Sequence, residues 1–516
     1  MEPRDKLTAP SSTGARFGIL VIVGAILRAP SFFRPLMDID EGCYAAIAAR
    51  MVDGGLPYRD GVENKVPGVY YAYYWVFRLF GRYDMLALHL TVALVALATA
   101  LVCGRIARRL YRGSDAATRD RIGFYAALLY VVYSTFFYPK MLAANTEMFL
   151  VLPAALALWA YLAARRHPAL YLAAGACMAV AFLFKQVAFL LFAGLCADSL
   201  VALVHKRATI GRALATTVLL LFGFVAVVGG AAAFLAARGI LHDAIFWSFT
   251  YIFRYYLPAG SNQHAFLLNF VSAFLPFLLV VSPLLLPALP MPPTWRSWRA
   301  LDGDATPVWL WLAASAASSL IGGRMYGHYF VPMIPPLSVL AAVNVESWLA
   351  GAHPQWRRRF LLGATTFMAV GFCVWAALYE TTTASFWSPK PDYRLVTDYV
   401  RQTTRPDERI FVWGWFPALY VEADRSPSTR FVTAHILAGG GGHTGGGTRG
   451  HRVEEGWSLL MDDLTRDPPP VILDTSAGDY GFEYATLANY PPLDDFVRAR
   501  YREERTIAGV RIFRRQ

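Results

Sequence analysis

The stretch 37–77 reads "MDIDEGCYAAIAARMVDGGLPYRDGVENKVPGVYYAYYWVF" and lies between two strongly apolar stretches. It nevertheless carries Asp38, Asp40, Glu41 and Lys65. Ionisable residues this close to a bilayer-length segment are costly, and by default they mark a functional site. The stretch therefore predicts a membrane protein with a polar site near the lipid.

The composition supports a membrane protein. The chain has 516 residues, of which 56% are hydrophobic and 16% charged, and its mean hydropathy is +0.38. Soluble domains average about 45–50% apolar and about 25% charged residues. The net charge of +12 is then best explained by cytoplasmic loops rich in Lys and Arg, and it does not indicate binding to nucleic acid.

About eleven apolar segments are long enough to cross a bilayer as helices, which takes roughly 20 residues each. The segments are 15–33, 85–106, 122–138, 144–163, 169–185, 187–204, 213–237, 266–288, 306–321, 330–350 and 360–379.

A cleaved signal peptide is the alternative for the first segment. Against it, Arg28 and Pro30 interrupt the place where a signal peptide would carry small residues.

The loops between these segments differ in charge. One alternate set contains "RIARRLYRGS", "ARRHP", "HKRATIGR", "TWRSWR" and "HPQWRRR", whereas the other set holds only scattered cations. The basic set is expected in the cytoplasm. With eleven crossings, residues 37–77 and everything after residue 380 then face outward. In a bacterium this side is the periplasm, and the protein would be a multi-pass protein of the cytoplasmic (inner) membrane.

The chain divides into a transmembrane catalytic domain, 1–385, and a soluble periplasmic α/β domain, 386–516. In the first outer loop, 34–84, "EGCYAAIAARMVDGG" and "PGVYYAYYWVFRLFG" predict two short interfacial helices that end at glycines. In the second domain, "YRLVTDYVRQTT" predicts a helix, and "RIFVWG", "PPVILDTS" and "GVRIFRR" predict strands. The segment "AGGGGHTGGGTRGH" is predicted to be disordered and lacks the Lys and Ser of a phosphate loop.

Asp40 and Glu41 come just after the first segment. They can remain a solvated loop face, cap the helix that follows, or act on a substrate at the membrane. Lys65 favours the last alternative, because Val66-Pro67-Gly68 after it would fix its backbone. A carboxylate can take a proton from a nucleophile, and a cation can stabilise a phosphate leaving group.

Other polar residues occur at the predicted outer turns, and each has an ordinary structural alternative. Glu147 in "AANTEMF" can belong to a helix cap, Lys185 can extend its ammonium to the interface, and a lone histidine is often structural. We take this group as candidate substrate-binding residues together with Lys65: Tyr58, Lys140, Glu147, Lys185, Arg324 and His328.

The stretch "DIDEGCYAAIAARMVDGGLPYRDGVENKVPGVYYAYYWVFRLFG" resembles the first-loop signature of GT-C glycosyltransferases. The similarity is to the bacterial branch related to protein O-mannosyltransferases and the aminoarabinose transferase, the glycosyltransferase family 39/83 type. The segments "AANTEMFLVLP", "FLFKQVA", "GHYFVPMIPPL" and "VWGWFPALYVEADRSPSTRF" are similar to segments further along such chains. The resemblance covers most of residues 15–435.

The resemblance implies an inverting transfer of a sugar from a polyprenyl-phosphate carrier to a lipid, glycan or protein acceptor on the outer face of the membrane. The acidic pair of the family falls on Asp40 and Glu41, with Asp40 as the general base or acceptor-orienting group. Its lysine falls on Lys65, which would contact the carrier phosphate. The acidic residue that can bind a metal in one branch is Asn64 here, which leaves Glu63 as the candidate for a divalent metal.

Two further classes of function are compatible with the sequence. A transporter or lipid flippase would need ionisable residues near the bilayer midplane and repeated halves, and we find no repeat. A non-enzymatic membrane scaffold would leave the outer charges as solvated faces. Sugar transfer is the prediction that the outer-loop charges favour.

Overall fold

The computed structural model describes residues 12–111, 113, 115–135, 139–257, 263–289, 305–350, 354–382, 393–438, 453–478, 480, 482 and 485–516. The predicted glycine-rich disorder at 439–451 and the predicted domain boundary at 385/386 lie outside these residues. The α-helices, in chain order from α1 to α21, are Thr13–Phe33, Ile39–Val52, Gly68–Phe80, Met85–Leu110, Ala116–Tyr133, Thr146–Ala163, Leu170–Phe184, Ala188–Val204, Ile210–Ala237, Leu241–Ile245, Gln263–Asn269, Leu275–Val280, Ser282–Ala288, Thr306–Leu320, Ile334–Leu349, Gln355–Thr382, Tyr393–Thr403, Ala418–Ala423, His435–Ala438, Glu454–Arg466 and Pro491–Arg500.

Helices occupy each of the eleven apolar segments predicted from the sequence. By length and composition, five helices of the described residues can cross a membrane: α1, α4, α6, α9 and the stretch Gly327–Leu349 that ends with α15. A sixth is formed if Phe266–Val280 and Ser282–Ala288, which meet at a bend of 70°, count as one broken span. The polytopic helical fold is confirmed, and the number of crossings stays a prediction.

The first compact unit comprises residues 1–32, 89–232 and 263–376. Within it α6 packs on α7, α14 packs on α8, and α15 packs against both α5 and α13. The helix α9 leaves large apolar side chains exposed, among them Leu214, Phe222 and Val225. Exposed apolar side chains on a long helix are typical of a surface in contact with lipid.

The second compact unit comprises residues 33–88, 233–262 and 377–516. It contains the first outer loop, in which α2 packs on α3 and on α18. Close packing on α18 requires Gly42, since a Cβ there would lie 3.0 Å from Pro417 Cγ. The helix α3 exposes Trp75, Leu79 and Phe80, which suits an interfacial helix, whereas α2 is buried along nearly all of its length.

The second unit also contains a four-stranded sheet with the order β1-β2-β4-β3. The strands are Phe411–Trp413 (β1), Val471–Asp474 (β2), Tyr501–Ile507 (β3) and Val510–Arg515 (β4). β1 and β2 are parallel, and β4 runs antiparallel to both β2 and β3. The sequence did not predict β3, because four consecutive charged residues, 502–505, hide the alternation that marks a strand.

Between α10 and α11, two π-helical turns occur at Phe246–Thr250 and Ile252–Tyr256. Such turns are rare in proteins, and those that occur are often found at functional sites. One widened turn changes the direction of the side chains around it. The first of them carries Ser248, whose hydroxyl donates to the backbone of the first outer loop.

Candidate active site

The helix α2 begins at a capping box. The carboxylate of Asp38 accepts a hydrogen bond from the backbone N–H of Asp40 at 3.4 Å, and that of Glu41 accepts one from the N–H of Asp38 at 3.1 Å. Glu41 also accepts from the N–H of Met37, and its side chain is completely buried. These contacts satisfy the otherwise unpaired donors of the helix start, so the capping alternative holds for Glu41.

Asp40 differs from its neighbour. It is half-buried in the first turn of α2, and the Tyr44 hydroxyl donates to its Oδ2 atom at 3.4 Å. Negative charge is stabilised at this end of a helix. The predicted acidic pair is thus divided by geometry, with Glu41 in the cap and Asp40 half-buried beside it, and a catalytic role of either residue stays a prediction.

The backbone of Lys65 is fixed on both sides of its Cα. Its carbonyl oxygen accepts hydrogen bonds from the hydroxyls of Tyr58 and Ser248, each at 2.9 Å. Its N–H donates to the Tyr70 hydroxyl at 3.2 Å. Burial raises the pKa of Tyr58, so its phenol stays a donor, and Tyr58 itself adopts the left-handed φ of +67°. Tyr58, predicted to bind substrate, is nearly inaccessible and holds Lys65 in place.

The side chain of Lys65 belongs to a small charged network. Its Nζ donates to the Asn64 amide oxygen at 2.7 Å and lies 3.8 Å from Glu63 Oε1. The other oxygen of Glu63 lies 3.8 Å from His435 Nε2, and the Nδ1 atom of that ring lies 2.7 Å from the Thr433 hydroxyl. We call Asp40, Glu63, Lys65 and His435 the loop cluster.

The thiol of Cys43 lies within electrostatic range of three members of the loop cluster, Asp40, Glu63 and Lys65. Burial raises the pKa of Cys43 well above its usual value, and the carboxylates of Glu63 and Asp40 raise it further. The ammonium of Lys65 acts on the same thiol in the opposite direction. Asp40 and Lys65 thus act on this one buried thiol in opposite directions, as carboxylate and ammonium charges do.

A second network lies in the first unit, and we call it the bundle cluster. Its centre is the buried Glu147, whose Oε1 atom accepts a hydrogen bond from Lys185 Nζ and lies 3.8 Å from His328 Nε2. Thr146 donates to the other oxygen at 2.8 Å. The ammonium of Lys185 also lies 3.8 Å from the centre of the Tyr329 ring, a favourable cation–π contact.

One further predicted residue, Lys140, lies near this network. Its ammonium is 5.4 Å from the centre of the Tyr326 ring, and that ring stacks on His328 with centroids 6.0 Å apart. Arg324 lies half-buried in the loop that follows α14. The structure thus brings Lys140, Glu147, Lys185 and His328 together, and their binding of substrate stays a prediction.

The surroundings of Glu63 do not fit a divalent metal ion. Among the described residues, one oxygen of its carboxylate lies beside the imidazole of His435, while the ammonium of Lys65 lies beside the other. A metal ion held by protein side chains alone, such as zinc, needs three or more ligands, and an adjacent cation opposes its binding. We therefore derive no step from a metal at Glu63.

Three residues that support Lys65 were missed by the sequence analysis: Tyr70, Ser248 and His435. Ser248 is 183 positions away from Lys65 along the chain, and no local pattern connects them. His435 lies in the apolar run "VTAHILA". A histidine in such a run was the only available signal, and it does not identify a partner.

Comparisons with known proteins agree with this architecture. Residues 64–230 match the model of a family described as dolichyl-phosphate-mannose-protein mannosyltransferase. The chain is similar to ArnT from Cupriavidus metallidurans in two crystal structures. The one bound to undecaprenyl phosphate is 17% identical with a TM-score of 0.62, and the apo one is 16% identical with a TM-score of 0.58. Each match covers 97% of this chain and 98% of the other.

A more distant likeness is to the oligosaccharyltransferase of Archaeoglobus fulgidus in complex with zinc and sulfate. It is 13% identical with a TM-score of 0.50 and covers 89% of this chain and 68% of the other. A search of curated proteins finds no match. At these identities the structural likeness concerns the fold, a multi-helix membrane part together with a small sheet-containing domain.

Proposed function

We propose that this chain is a glycosyltransferase of the GT-C type, which transfers a sugar from a polyprenyl-phosphate carrier to an acceptor with inversion at the anomeric carbon. The acceptor would be a lipid, a glycan or a protein. The observation that carries the proposal is geometric: three hydrogen bonds fix the backbone of Lys65, and Asp40 lies half-buried in the first turn of α2 within the same compact unit.

Lys65 is the proposed contact for the carrier phosphate. As the bond between the anomeric carbon and the phosphate oxygen breaks, negative charge grows on the leaving phosphate, and a cation already in position stabilises it without reorganisation. The three hydrogen bonds to the Lys65 backbone supply that preorganisation. Undecaprenyl phosphate bound to ArnT, which has the same fold, supports a carrier of this chemistry.

Asp40 is the proposed general base. The nucleophilic atom of the acceptor attacks the anomeric carbon on the face opposite to the phosphate, and Asp40 takes the proton that this atom loses. The new glycosidic bond forms as the carbon–phosphate oxygen bond breaks, which inverts the configuration. Glu41 supports Asp40 indirectly, because it holds the start of α2 in place.

The bundle cluster is proposed to bind substrate through Lys140, Lys185 and Arg324, with Glu147 and His328 orienting these cations. The basic loops predict a bacterial inner-membrane protein whose loop cluster faces the periplasm. Acidic and cationic groups on that side would meet a lipid-linked donor at the level of its head group.

The direct test is to incubate the purified full-length protein with a panel of polyprenyl-phosphate sugars and candidate acceptors and to identify products by mass spectrometry. Transfer by the wild type, and its loss in Asp40→Asn and Lys65→Ala variants of normal expression and stability, is the expected result. Normal transfer by both variants would refute the assignment of the site. Movement of a labelled lipid across liposome membranes without sugar transfer would favour a flippase instead.

A further inference from the structure

A cavity of about 370 Å³ in the second unit lies away from the residues proposed for transfer. Its charged lining consists of Arg394, Asp398 and Arg401 on α17 and Glu422 on α18. The three residues of α17 recur at spacings of four and three, which places them on one face of the helix. The volume falls within the range of about 300–1,000 Å³ that is typical of ligand sites.

Two other residues that line the cavity are close in sequence to long apolar helices. Pro35 follows the end of α1 by two residues, and Tyr83 precedes the start of α4 by two. Both α1 and α4 are long and apolar enough to cross a membrane. Chain positions this close to the end of a membrane-crossing helix are expected at the level of the lipid head groups.

Glu422 brings the two arginines together. Its Oε2 atom lies 3.7 Å from Arg394 Nε, and its backbone carbonyl accepts a hydrogen bond from Arg401. The remaining carboxylate oxygen accepts from the Tyr393 hydroxyl. Two guanidinium groups that start two helical turns apart therefore converge on one residue, and guanidinium groups match a phosphate in both charge and shape.

Asp398 adds a second carboxylate beside that of Glu422, so two acidic groups balance the two arginines and the charged lining suits a ligand that carries both signs. It lies 3.3 Å from Arg401 Nη1, and both side chains are about half exposed, 55% and 50%. An exposed pair of this kind contributes little to stability. A phosphate can therefore replace Asp398 at Arg401 at small cost, and the carboxylate is then placed to accept a cation.

We propose that this cavity binds the head group of a zwitterionic phospholipid of the ethanolamine type. The phosphate contacts Arg394 and Arg401, and the ammonium contacts Asp398. Binding holds the C-terminal part of the second unit to the lipid surface. A head group without an ammonium would leave Asp398 beside a phosphate, which is an unfavourable pair of like charges.

The test is to incubate the purified full-length protein with equal amounts of phosphatidylethanolamine, phosphatidylglycerol and phosphatidylcholine and to measure retained lipid by native mass spectrometry. We expect phosphatidylethanolamine to be retained above the other two, because phosphatidylglycerol has no ammonium and the trimethylammonium of phosphatidylcholine has no N–H to donate to Asp398. The double variant R394Q/R401Q should lower its retention at least about tenfold, since charge-assisted hydrogen bonds to the phosphate are lost. D398N should bring the ratio of phosphatidylethanolamine to phosphatidylglycerol towards one.

The matched control is R405Q, because Arg405 lies just beyond α17, is 72% exposed and pairs with Asp407 and Glu408. It should retain lipid as the wild type does. If the double variant does not elute as a folded protein, the single variant R401Q decides the question. Unchanged retention in the arginine variants, or equal retention of all three lipids by the wild type, would overturn the proposal.

Soluble O-phosphoethanolamine distinguishes a lipid from a free phosphate ester. Weak displacement of the lipid by this compound supports a membrane ligand, and displacement at equimolar concentration contradicts it. No sugar transfer is involved in these measurements, so the result does not depend on whether the proposed transferase activity is found.

Discussion

The loop cluster and the bundle cluster contain the same three residue types in nearly the same arrangement. In each, a buried glutamate lies between a lysine and a histidine whose Nε2 atom is 3.8 Å away. The lysines differ. Lys185 donates directly to Glu147 and lies against an aromatic ring, whereas Lys65 donates to the neutral amide of Asn64 and is 3.8 Å from Glu63.

This difference gives Lys185, besides its proposed contact with substrate, a structural role that Lys65 lacks. A lysine hydrogen-bonded to a buried carboxylate compensates a charge that would otherwise be costly to bury. A lysine that donates to a neutral amide keeps more of its electrostatic attraction for an incoming anion. The same residue types can thus stabilise a helical bundle in one place and prepare a phosphate site in another.

The largest expected effect is on the loop cluster. Asp40→Asn should lower the rate of sugar transfer by about 10²–10⁴-fold, because a general base contributes by that order, with little change in thermal unfolding. The rate is measured with the product assay described above. Asp60→Asn is the matched control, since an amide oxygen there can still accept from the Leu56 N–H, and a similar loss in both variants would argue against a base.

In the bundle cluster, Lys185→Ala should lower the free energy of unfolding by about 3–5 kcal/mol, because it leaves the buried Glu147 uncompensated. Thermal unfolding in detergent measures this. The double variant Lys185→Met with Glu147→Leu should recover most of the loss, since an apolar pair of similar volume is often neutral. A single variant as stable as the wild type would remove the distinction between the two clusters.

Lys65→Ala should show the reverse pattern. We expect transfer to fall by about 10²–10³-fold, the effect of removing one preorganised group that stabilises developing charge. The unfolding temperature should stay close to that of the wild type, because the Glu63 contact is long and Glu63 keeps His435 nearby. Severe destabilisation with proportionate loss of activity would instead assign Lys65 to the fold.

The smallest effect concerns Glu41. Glu41→Ala should destabilise the protein by about 1 kcal/mol, since a capping contact is lost, whereas Glu41→Gln should change little because glutamine also closes a capping box. Parallel thermal unfolding and transfer assays distinguish these outcomes. Loss of transfer in a stable Glu41→Gln variant would restore Glu41 to the catalytic role that the sequence suggested.

Much of the fold could be predicted, because apolar length and flanking charge are local properties of the chain. The helices of the membrane part and the two helices of the first outer loop follow from such patterns, as does the terminal strand in "GVRIFRR". The strand β3 could not be predicted from the sequence, because its residues 502–505 are all charged. These residues form a strand through their pairing with β4. Local composition is enough to predict most helices and strands, whereas a strand such as β3 also depends on pairing with another strand.

The candidate site was predicted to a similar extent. Asp40 and Lys65 were visible because charge beside apolar segments is unusual. The capping role of Glu41 was one of three open alternatives, and the choice needed the actual contact with the Asp38 N–H. Ser248 and His435 could not be assigned, because each reaches the first outer loop from far along the chain.

The edges of the four-stranded sheet have a consequence for the protein in a crowded membrane. One edge strand, β1, has only three residues, and the other, β3, presents Arg502, Glu503, Glu504 and Arg505. Short or charged edges discourage strands of neighbouring molecules from adding to a sheet. Copies confined to one membrane plane meet often, and these two edges would keep such encounters from growing into intermolecular aggregates.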